Sequence, residues 1–534
     1  MEKLYNGIEI PAAWPPRNMD DHSLRDLPVP YLTKPPKVID ISVGRQLFVD
    51  DFLIDETTME KRFHQAVFST DSPVLQPETP LEMSGGIAPM AAPFTDGCWF
   101  DPLDGLYKLW YHAGWMEATG LAVSRDGVQW TRKMLDNRPG TNMVDVPPKG
   151  WRRDGSTIWL DAETENPAER YKMFTFYRTP EGEFGVVQCS HDGLHWGRRT
   201  QVGDCGDNTS FFYNPFRKKW IFSIRKGMPL FERYSRARRY YECDDFMEQA
   251  HWQQGDDVFW QRCDETDLRE CEFGVRYSSL MPPQLYHLNC VAYESVMLGL
   301  FGIIKGFDEY DNSVCENLGA PKKIDLHVAF SRDGFHFSRD NRLPFIRATG
   351  KENDWNRGYL HACGGICLIE GDRLLFPVGG FSGRSPANGG NLYGDASTGF
   401  ATLRRDGFAS LHANWSRQYV VTKPLTFAEG RKCLFVNANA IGGFVAAEVL
   451  DEQGNVLPGF SMEECISAQN DSTKQQIRFV GGHSLAELYG RPVRLRFCMT
   501  NADLFSFWLA EDERGASKGF VAAGGPNYCG NRDL

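Results

Sequence analysis

The chain has 534 residues, with 58 lysine and arginine residues against 70 aspartate and glutamate residues, which leaves a net charge of −12. A composition of 42% hydrophobic, 13% aromatic and 24% charged residues is that of a folded globular protein and excludes a disordered chain. The acidic balance argues against binding a nucleic acid backbone, and no apolar run reaches the about 18 residues of a membrane-spanning helix.

The N-terminal region, residues 1–60, predicts a strap rather than a domain. It carries no apolar segment of the kind that a secretory signal needs, and prolines are frequent in its first half. Residues 46–54 then form an apolar run that predicts an extended strap or a first strand against the following domain. The 14 cysteines are scattered and include no Cys-x-x-Cys pair, which is typical of reduced thiols in a cytoplasmic protein.

An internal repeat organises residues 61–415. Three segments share a Ser-x-Asp-Gly pattern followed by an aromatic residue, and they begin at Ser124, Ser190 and Ser331. A weaker copy begins at Arg404 and a degenerate one at Glu242, so five units follow one another at a spacing of roughly 70 residues. Repeats of this kind indicate that one supersecondary unit is stacked several times.

Each unit has the same predicted interior. Two β-rich runs joined by a turn precede the Ser-x-Asp-Gly segment, a third strand runs into it, and a fourth strand follows it. Five four-stranded units predict an all-β fold, a five-bladed β-propeller, and the alternative is a large sandwich with coincidental turns. The aspartates of the repeated turn are predicted to be structural, because Asp-Gly supplies a tight turn.

The repeat stops at about residue 416. From there, short alternating runs such as 443–450 and 492–497 are separated by turns, including a hairpin turn at 451–454. This pattern predicts a C-terminal β-sandwich. The predicted domains are therefore a strap over 1–60, a five-bladed propeller over 61–415 and a sandwich over 416–534.

Two aspartates occupy matching positions in the second and third units. Asp154 lies seven residues before the hairpin residue Asp161, and Asp207 lies seven residues before the hairpin residue Asn214. The innermost strands of a propeller begin at a central funnel, so both carboxylates are expected to face one cavity. Paired carboxylates suit glycosidic bond cleavage, in which one protonates the leaving oxygen and the other attacks the sugar or activates water.

Other candidate residues are expected around the same funnel. The matching position of the first unit is Phe94, so Glu82, just before the first inner strand, is the expected third catalytic carboxylate. The candidates for substrate binding are Arg225, His287, Glu294, His361, Asp264 and Trp355. Each also has a structural interpretation: a salt bridge for the arginine, a turn or cap for the carboxylates, and core packing for the histidines.

The segment Arg153-Asp154-Gly155 resembles the R-D-P motif of the invertase group. That group belongs to the five-bladed propeller glycoside hydrolases of families 32, 43 and 68, which include invertases, levansucrases and arabinanases. The resemblance implies that Asp154 stabilises the transition state by binding sugar hydroxyls. It puts Asp207 at the position of the general acid, where the group has a Glu-Cys pair and this chain has Asp-Asn.

The chain departs from the invertase pattern in its first unit. The N-D-P-N-G nucleophile motif is absent, and residues 92–96 are the nearest segment. Strings at 47–51, 211–217 and 331–335 resemble more closely a bacterial group loosely placed with family 32, and this similarity runs over nearly the whole chain.

The sequence therefore predicts a glycosidase acting on a small oligosaccharide, with a furanoside as one candidate. A phosphorylase or transglycosylase on the same fold is one alternative, since Arg225, His287 and His361 could line a cationic pocket, and a non-catalytic carbohydrate-binding propeller is another. No cofactor is expected to be required, while a structural calcium ion and a homo-oligomer stay open. Sequence motifs of nucleotide-binding proteins, zinc proteases and α/β-hydrolases are absent.

Overall fold

The computed structural model describes residues 2–136, 138–228, 235–269, 283–304 and 321–534. This part of the chain is almost all β, as the sequence predicts. The helices are Pro30–Thr33, Pro80–Met83 and Glu265–Arg269, and the 3₁₀ turns are Ser84–Gly86, Pro167–Glu169, Val480–Gly482 and Leu485–Leu488. No helix in these ranges is long and apolar enough to cross a membrane.

The second, third and fourth units each form a sheet of their own. Sheet II consists of Arg152–Leu160, Tyr171–Thr179, Gly182–Ser190 and Thr200–Gln201. Sheet III consists of Ser210–Asn214, Lys219–Met228, Ser235–Cys243 and Val258–Gln261. Sheet IV has the order Ile324–Ser331, Val296–Ile304, Gln284–Glu294 and Phe520–Val521. Neighbouring strands in all three sheets are antiparallel.

The first and last units share sheet I. Its strands run in the order Thr131–Arg132, Ala118–Ser124, Leu106–Ala113, Met90–Asp101, Gly358–Gly364, Arg373–Phe381, Ala396–Arg404 and Val67–Phe68. Met143–Asp145 and Leu368–Glu370 pair beside this path. Met90–Asp101 pairs in parallel with Gly358–Gly364 and with Ala396–Arg404. The beginning and the end of the repeat region are therefore neighbours.

The Ser-x-Asp-Gly turn has the same hydrogen bonds in three copies. In the first, the Ser124 hydroxyl accepts a bond from the N–H of Gly127 at 2.9 Å, and Asp126 accepts bonds from the next two N–H groups. The hydroxyls of Ser190 and Ser331 accept equivalent bonds at 2.9 Å. Gly127 has a φ of +72°, a conformation that favours glycine. The motif thus encodes a turn.

Buried tryptophans connect neighbouring units. The indole N–H of Trp110, in the first unit, donates to the carbonyl of Gly193 in the turn of the second unit at 2.9 Å. The indole of Trp260, in the third unit, donates to the carbonyl of Phe335 in the turn of the fourth unit at 2.8 Å. Both indoles are fully buried in the main core, so each hydrogen bond fixes one sheet against the next.

Two further sheets enclose a second core. Sheet V has the order Cys465–Ile466, Asp471–Phe479, Cys433–Asn439, Ala502–Ala510, Ala409–Ala413 and Glu60–Phe63, with Gln46–Leu47 paired to Ala502–Ala510. Sheet VI has the order Phe444–Leu450, Arg494–Thr500, Gln418–Thr422 and Ile54–Thr57. The two-stranded pairs are Glu2–Lys3 with Glu9–Ile10, Ile39–Asp40 with Leu425–Thr426, and Arg384–Ser385 with Gly389–Gly390.

The apolar run 46–54 lies between the two cores. Leu47 and Val49 belong to the core of the repeat region, whereas Phe48 and Phe52 belong to the core of the C-terminal sheets. Side chains of an extended segment alternate between opposite faces, so one run can serve both cores. The N-terminal strap is therefore part of the C-terminal sheets, since its strands pair within sheets V and VI.

The two parts of the chain exchange strands. Ala409–Ala413, which the predicted boundaries assign to the propeller, pairs with Ala502–Ala510 and with Glu60–Phe63 in sheet V. In the opposite direction, Phe520–Val521 pairs with the hairpin end of Gln284–Glu294 in sheet IV. Backbone groups at these sheet edges form hydrogen bonds with strands that are distant in the sequence. Local sequence patterns do not reveal such pairings.

Candidate active site

Asp154 and Asp207 are brought together by one arginine that the sequence analysis did not select. The Nε of Arg178 donates to Asp154 Oδ2 at 2.8 Å, and its Nη2 donates to Asp207 Oδ2 at 3.0 Å. Arg178 lies near the end of Tyr171–Thr179, the strand that pairs with Arg152–Leu160 and thus with the segment that carries Asp154. The two aspartates, which occupy matching positions in the sequence, therefore share one hydrogen-bond donor, the Arg178 guanidinium.

A bulge directs the Asp154 side chain. The register of Arg152–Leu160 against its partner strand shifts between Arg153 and Ser156, which leaves Asp154 outside the regular ladder. Bulges commonly re-aim a side chain next to an active site. The side chain of Asp154 is 5% exposed, whereas that of Asp207, in the turn before Ser210–Asn214, is 22% exposed. The Asp154 carboxylate is thus buried and that of Asp207 is partly exposed.

The two carboxyl groups differ in acidity. Burial raises the pKa of Asp154 to about 6, the negative charge of Asp207 adds to this rise, and the charge of Arg178 opposes it. Burial alone would also raise the pKa of Asp207, but surrounding positive charges outweigh it and lower that pKa below its ordinary value. These charges belong to Arg225, Arg178, Arg236 and Lys322. A pair with pKa values pushed apart can supply one acid and one base.

Arg225, a predicted substrate-binding residue, lies beside this pair. Its Nε is 3.5 Å from Asp207 Oδ1, and its backbone N–H donates to the Thr209 hydroxyl at 3.0 Å. The second bond anchors Lys219–Met228 to the loop that carries Asp207. The structure therefore brings three of the predicted site residues together: Asp154, Asp207 and Arg225.

Arg236 and Lys322, two cations that act electrostatically on Asp207, form a basic and aromatic wall with three tyrosines. The ammonium of Lys322 lies 5.5 Å from the ring centres of Tyr286 and Tyr359 and 5.1 Å from that of Tyr393. The guanidinium of Arg236 lies 5.2 Å from the Tyr286 ring. Such distances are those of cation–π contacts.

Trp115 extends this wall. Its ring stacks on that of Tyr393 with 4.1 Å between centroids and 13° between planes, and both residues are partly exposed. The charge of Asp154 and that of Asp207 both raise the pKa of the Tyr393 phenol, after burial and the neighbouring Tyr286. Tyr393 is therefore electrostatically coupled to the carboxylate pair. No short motif marks Trp115, Tyr393 or Lys322 in the sequence, which is why they were missed.

His287 and His361 form a stack inside an aromatic cluster. Their rings are 4.7 Å apart and nearly parallel, and the His361 ring lies 3.9 Å from that of Phe94. Burial lowers the pKa of His287 to about 3 and that of His361 well below its ordinary value. Both rings are therefore neutral at physiological pH, so they do not supply the positive charge that a predicted phosphate pocket needs.

Glu82 has a different environment from the one predicted. It accepts hydrogen bonds from the Arg132 guanidinium at 2.9 and 2.8 Å, and from the Tyr111 hydroxyl at 2.6 Å. It also completes a capping box with Thr79 at the start of a short helix. Burial raises the pKa of Glu82, but these donors lower it on balance. Within the described residues, Glu82 does not contact the carboxylate pair.

Glu294 also lies in a structural network. The carboxylate is fully buried and accepts bonds from the Arg45 N–H at 3.1 Å, the Arg405 guanidinium at 3.0 Å and the Ser517 hydroxyl at 2.7 Å. Its donors come from the strap, the last unit and the C-terminal segment. The network connects the two parts of the chain at the hairpin end of Gln284–Glu294.

Asp264 and Trp355 make structural contacts: Asp264 forms hydrogen bonds, and Trp355 packs against another ring. Asp264 accepts a hydrogen bond from Arg342 at 2.5 Å and caps the helix Glu265–Arg269. The Trp355 ring meets that of Phe68 edge-on at 5.3 Å, and a Cβ at Gly399 would lie 2.4 Å from it. In the part of the chain that the structure describes, neither side chain contacts the carboxylate pair.

A further carboxylate, Asp96, occupies the first unit's inner strand. Counting residues gives Phe94 as the match of Asp154, and both Phe94 and Asp96 lie where the register is irregular, between Ala92 and Gly97. Asp96 is fully buried and forms an ion pair with Arg153, the residue before Asp154. Burial raises the pKa of Asp96 to about 6, while the charge of Arg153 opposes this rise.

Within the described ranges, no group of three or more histidine, cysteine, aspartate or glutamate side chains is arranged to hold a metal ion. A structural calcium ion stays a prediction, because calcium also binds backbone and amide oxygens.

A comparison with family models finds no match, and a comparison with curated proteins finds none either. Among solved structures, the chain is similar to an N-acetylgalactosamine deacetylase from F. plautii, with 14% identity, 65% of this chain and 96% of that chain covered, and a TM-score of 0.42. It is similar to a fructofuranosidase from Schwanniomyces occidentalis, with 10% identity, coverages of 83% and 97%, and a TM-score of 0.37.

An exo-beta-1,3-galactanase from Phanerochaete chrysosporium is also similar, with 10% identity, coverages of 84% and 100%, and a TM-score of 0.35. At these identities and TM-scores, the function proposed below rests on the geometry of the site.

Proposed function

We propose that the protein is a glycoside hydrolase in which Asp154 is the general acid and Asp207 is the nucleophile or general base. The observation that carries this proposal is the attachment of both carboxyl groups to the Arg178 guanidinium, with their acidities pushed in opposite directions. The roles differ from those implied by the invertase resemblance, in which Asp207 is the acid. Burial and charge support the reversed assignment.

In the proposed reaction, the protonated Asp154 donates its proton to the oxygen that leaves the anomeric carbon. Asp207, kept ionised by its basic neighbours, either attacks the anomeric carbon or removes a proton from the attacking water. Arg178 holds both carboxyl groups in position, and its charge stabilises the carboxylate that Asp154 becomes after proton transfer.

We also propose an assignment of the blades and of the domains. The strands of the five units are proposed to be the blades of a propeller, with sheet I containing the first and last blades. Sheets V and VI are proposed to form a β-sandwich, and the domain boundaries near residues 60 and 415 are then places where strands cross between the two parts. The substrate is proposed to be a small oligosaccharide, with a furanoside as one candidate.

The experiment is a turnover assay on a panel of nitrophenyl glycosides and of fructo- and arabino-oligosaccharides. Wild type is expected to hydrolyse at least one member, and Asp154→Asn and Asp207→Asn are expected to lose activity by about 10³-fold or more with little change in thermal stability. Asp204→Asn is the matched control, because Asp204 lies in the same loop as Asp207 but has a side chain that is 89% exposed.

Two outcomes would contradict the proposal. The first is wild-type turnover in both Asn variants. The second is binding of a panel member without any turnover, which would favour the non-catalytic carbohydrate-binding alternative.

A further inference from the structure

The bulge that carries Asp154 lies against an irregular segment of the neighbouring inner strand. In that strand, Met90–Asp101, the register shifts between Ala92 and Gly97. A Cβ at Gly97 would lie 2.5 Å from the carbonyl oxygen of Ile158, so the two strands are in direct backbone contact. They belong to two different sheets, I and II, so contacts outside the backbone ladders fix one strand against the other.

Thr95, in the irregular segment, holds one end of the bulge. Its hydroxyl donates to the carbonyl of Ser156 at 2.6 Å, and the residue is fully buried. Thr95 has a φ of +68°, a backbone conformation that costs free energy for a β-branched residue. Glycine would adopt this conformation at a lower cost but has no hydroxyl to donate. The strained backbone therefore indicates a use for the Thr95 hydroxyl at the bulge.

Asp96, the next residue, holds the other end of the bulge. Its carboxylate forms an ion pair with Arg153, and both side chains are fully buried. In the described part of the chain, the Nε and Nη1 atoms of Arg153 are buried without a hydrogen-bond partner. Asp96 is itself fixed, because its Oδ2 accepts a bond from the Phe94 N–H at 2.7 Å. Asp96 is therefore the anchor of the Arg153 side chain.

Asp154 lies between the two anchored ends of the bulge. Because Arg153 and Ser156 are both attached to the neighbouring strand, the backbone between them has little freedom to turn. The Asp154 carboxyl group is then held where Arg178 Nε donates to it at 2.8 Å. A group that transfers a proton must lie within hydrogen-bond reach of its target, so the direction of this side chain matters for the reaction.

We propose that Thr95 and Asp96 are positioning residues, which clamp the two ends of the bulge and thereby aim the Asp154 carboxyl group at Arg178 and at the substrate. This inference rests on the proposed function, because it concerns how the proposed general acid is held in place. Thr95 acts through the Ser156 carbonyl, and Asp96 acts through the Arg153 guanidinium.

The first test compares two leaving groups, because a displaced general acid slows only the reactions that need its proton. Thr95→Val removes the hydroxyl and keeps the shape of the side chain. It is expected to lower kcat/KM by about tenfold or more for an oligosaccharide. For the dinitrophenyl glycoside of the same sugar, the loss is expected to be less than about twofold, since this leaving group is acidic enough to depart without a proton.

Asp96→Asn is the second variant and is expected to show the same selective loss, because a neutral amide holds a guanidinium less strongly than a carboxylate does. Thr95→Ser keeps the hydroxyl and is expected to retain most of the activity toward both substrates. Thermal denaturation of each variant gives the folded fraction on which the rates are based.

Thr398→Val is the matched control. Thr398 is also fully buried, and its hydroxyl donates to the carbonyl of Ala91 at 2.9 Å, on the same inner strand but outside the contact with the bulge. This variant loses the same kind of hydrogen bond as Thr95→Val. It is expected to keep the wild-type ratio of kcat/KM between the two substrates.

Crystal structures of wild type and the variants test the clamp without turnover. The hydrogen bond between Arg178 and Asp154 is expected in wild type, in Thr95→Ser and in Thr398→Val. In Thr95→Val, the bulge is expected to relax and the Asp154 carboxyl group to leave the Arg178 Nε.

Each outcome has a defined meaning. An undisplaced Asp154 in Thr95→Val, or an equal loss of kcat/KM for both substrates, overturns the clamp. A displaced Asp154 together with a loss confined to the oligosaccharide supports it. Displacement of Asp154 in a protein that cleaves no glycoside supports the clamp and contradicts only the proposed hydrolase activity.

Discussion

Gly155 and Asp207 are in direct backbone contact: a Cβ at Gly155 would lie 2.4 Å from the carbonyl oxygen of Asp207. Real Cβ atoms do not approach a carbonyl oxygen so closely, because this is far inside van der Waals distance. The residue after Asp154 must therefore be glycine for the inner strands of sheets II and III to bring the two carboxylates together. The pair is positioned by backbone packing as well as by Arg178.

We predict that Gly155→Ala lowers kcat/KM by about 10²-fold, because the added methyl displaces the Asp207 loop and small misplacements of catalytic groups are costly. The measurement is steady-state kinetics on the best substrate of the panel. Gly443→Ala is the matched control, since a Cβ there would lie 1.9 Å from the Thr500 carbonyl, in the C-terminal sheets. Equal losses of activity per folded molecule in both variants would contradict a specific role for Gly155.

We predict an acidic pH optimum. Asp154 must be protonated and burial raises its pKa to about 6, so kcat/KM should fall above about pH 6, by about tenfold per pH unit. Asp207 must be ionised, and its pKa lies below the ordinary value of 3.8, so the acidic limb should begin below about pH 4. Circular dichroism over the same pH range separates this effect from unfolding. A rate that stays constant from pH 6 to pH 8 would exclude Asp154 as the acid.

We predict that Arg178 positions the pair and sets its acidity. Replacing it by methionine removes a charge that lowers the pKa of both aspartates, so both limbs of the pH profile should move to higher pH and kcat should fall. Arg178→Lys should retain part of the effect of the positive charge on the pKa of both aspartates, but it cannot donate one hydrogen bond to each aspartate in the same geometry. Glu183→Gln is the control, because Glu183 is the third, half-exposed carboxylate on the same guanidinium. A Met variant with an unshifted profile would leave Arg178 with a structural role only.

The sequence predicted the strands well because the signals for them are local. Each Ser-x-Asp-Gly turn closes its own hydrogen bonds, as at Ser124 and Gly127, so the turn forms wherever the motif occurs. The two aspartates share one spacing from their hairpins, and both side chains bind Arg178, although Asp154 lies in a bulge and Asp207 in a turn. In the first unit, the longer irregularity between Ala92 and Gly97 means that spacing from the hairpin does not define the matching residue.

Carboxylates beside strands were harder to interpret. The sequence predicts a catalytic role for Glu82, but its partner Arg132 follows 50 residues later, and no local pattern near Glu82 indicates that ion pair. The basic wall was missed for the same reason: Arg178, Arg236 and Lys322 come from three different sheets or loops and meet only in the folded chain. Long-range electrostatics depends on tertiary structure, which spacing within one repeat does not encode.

Glu294 gives a prediction that separates structural from functional interpretations. Glu294→Gln replaces a buried carboxylate that contacts the Arg405 guanidinium, the Arg45 guanidinium and backbone N–H, and the Ser517 hydroxyl. Leaving a buried arginine without its anionic partner costs about 3–5 kcal/mol, so chemical denaturation should show a loss of stability of that size. Values of kcat and KM per folded molecule should stay at the wild-type level, because Glu294 makes no contact with the carboxylate pair among the described residues.

Glu511→Gln, at an exposed ion pair with Lys518, is the control and should change stability by less than about 1 kcal/mol. A stable Glu294→Gln variant with a raised KM would instead support the substrate-binding role that the sequence predicted.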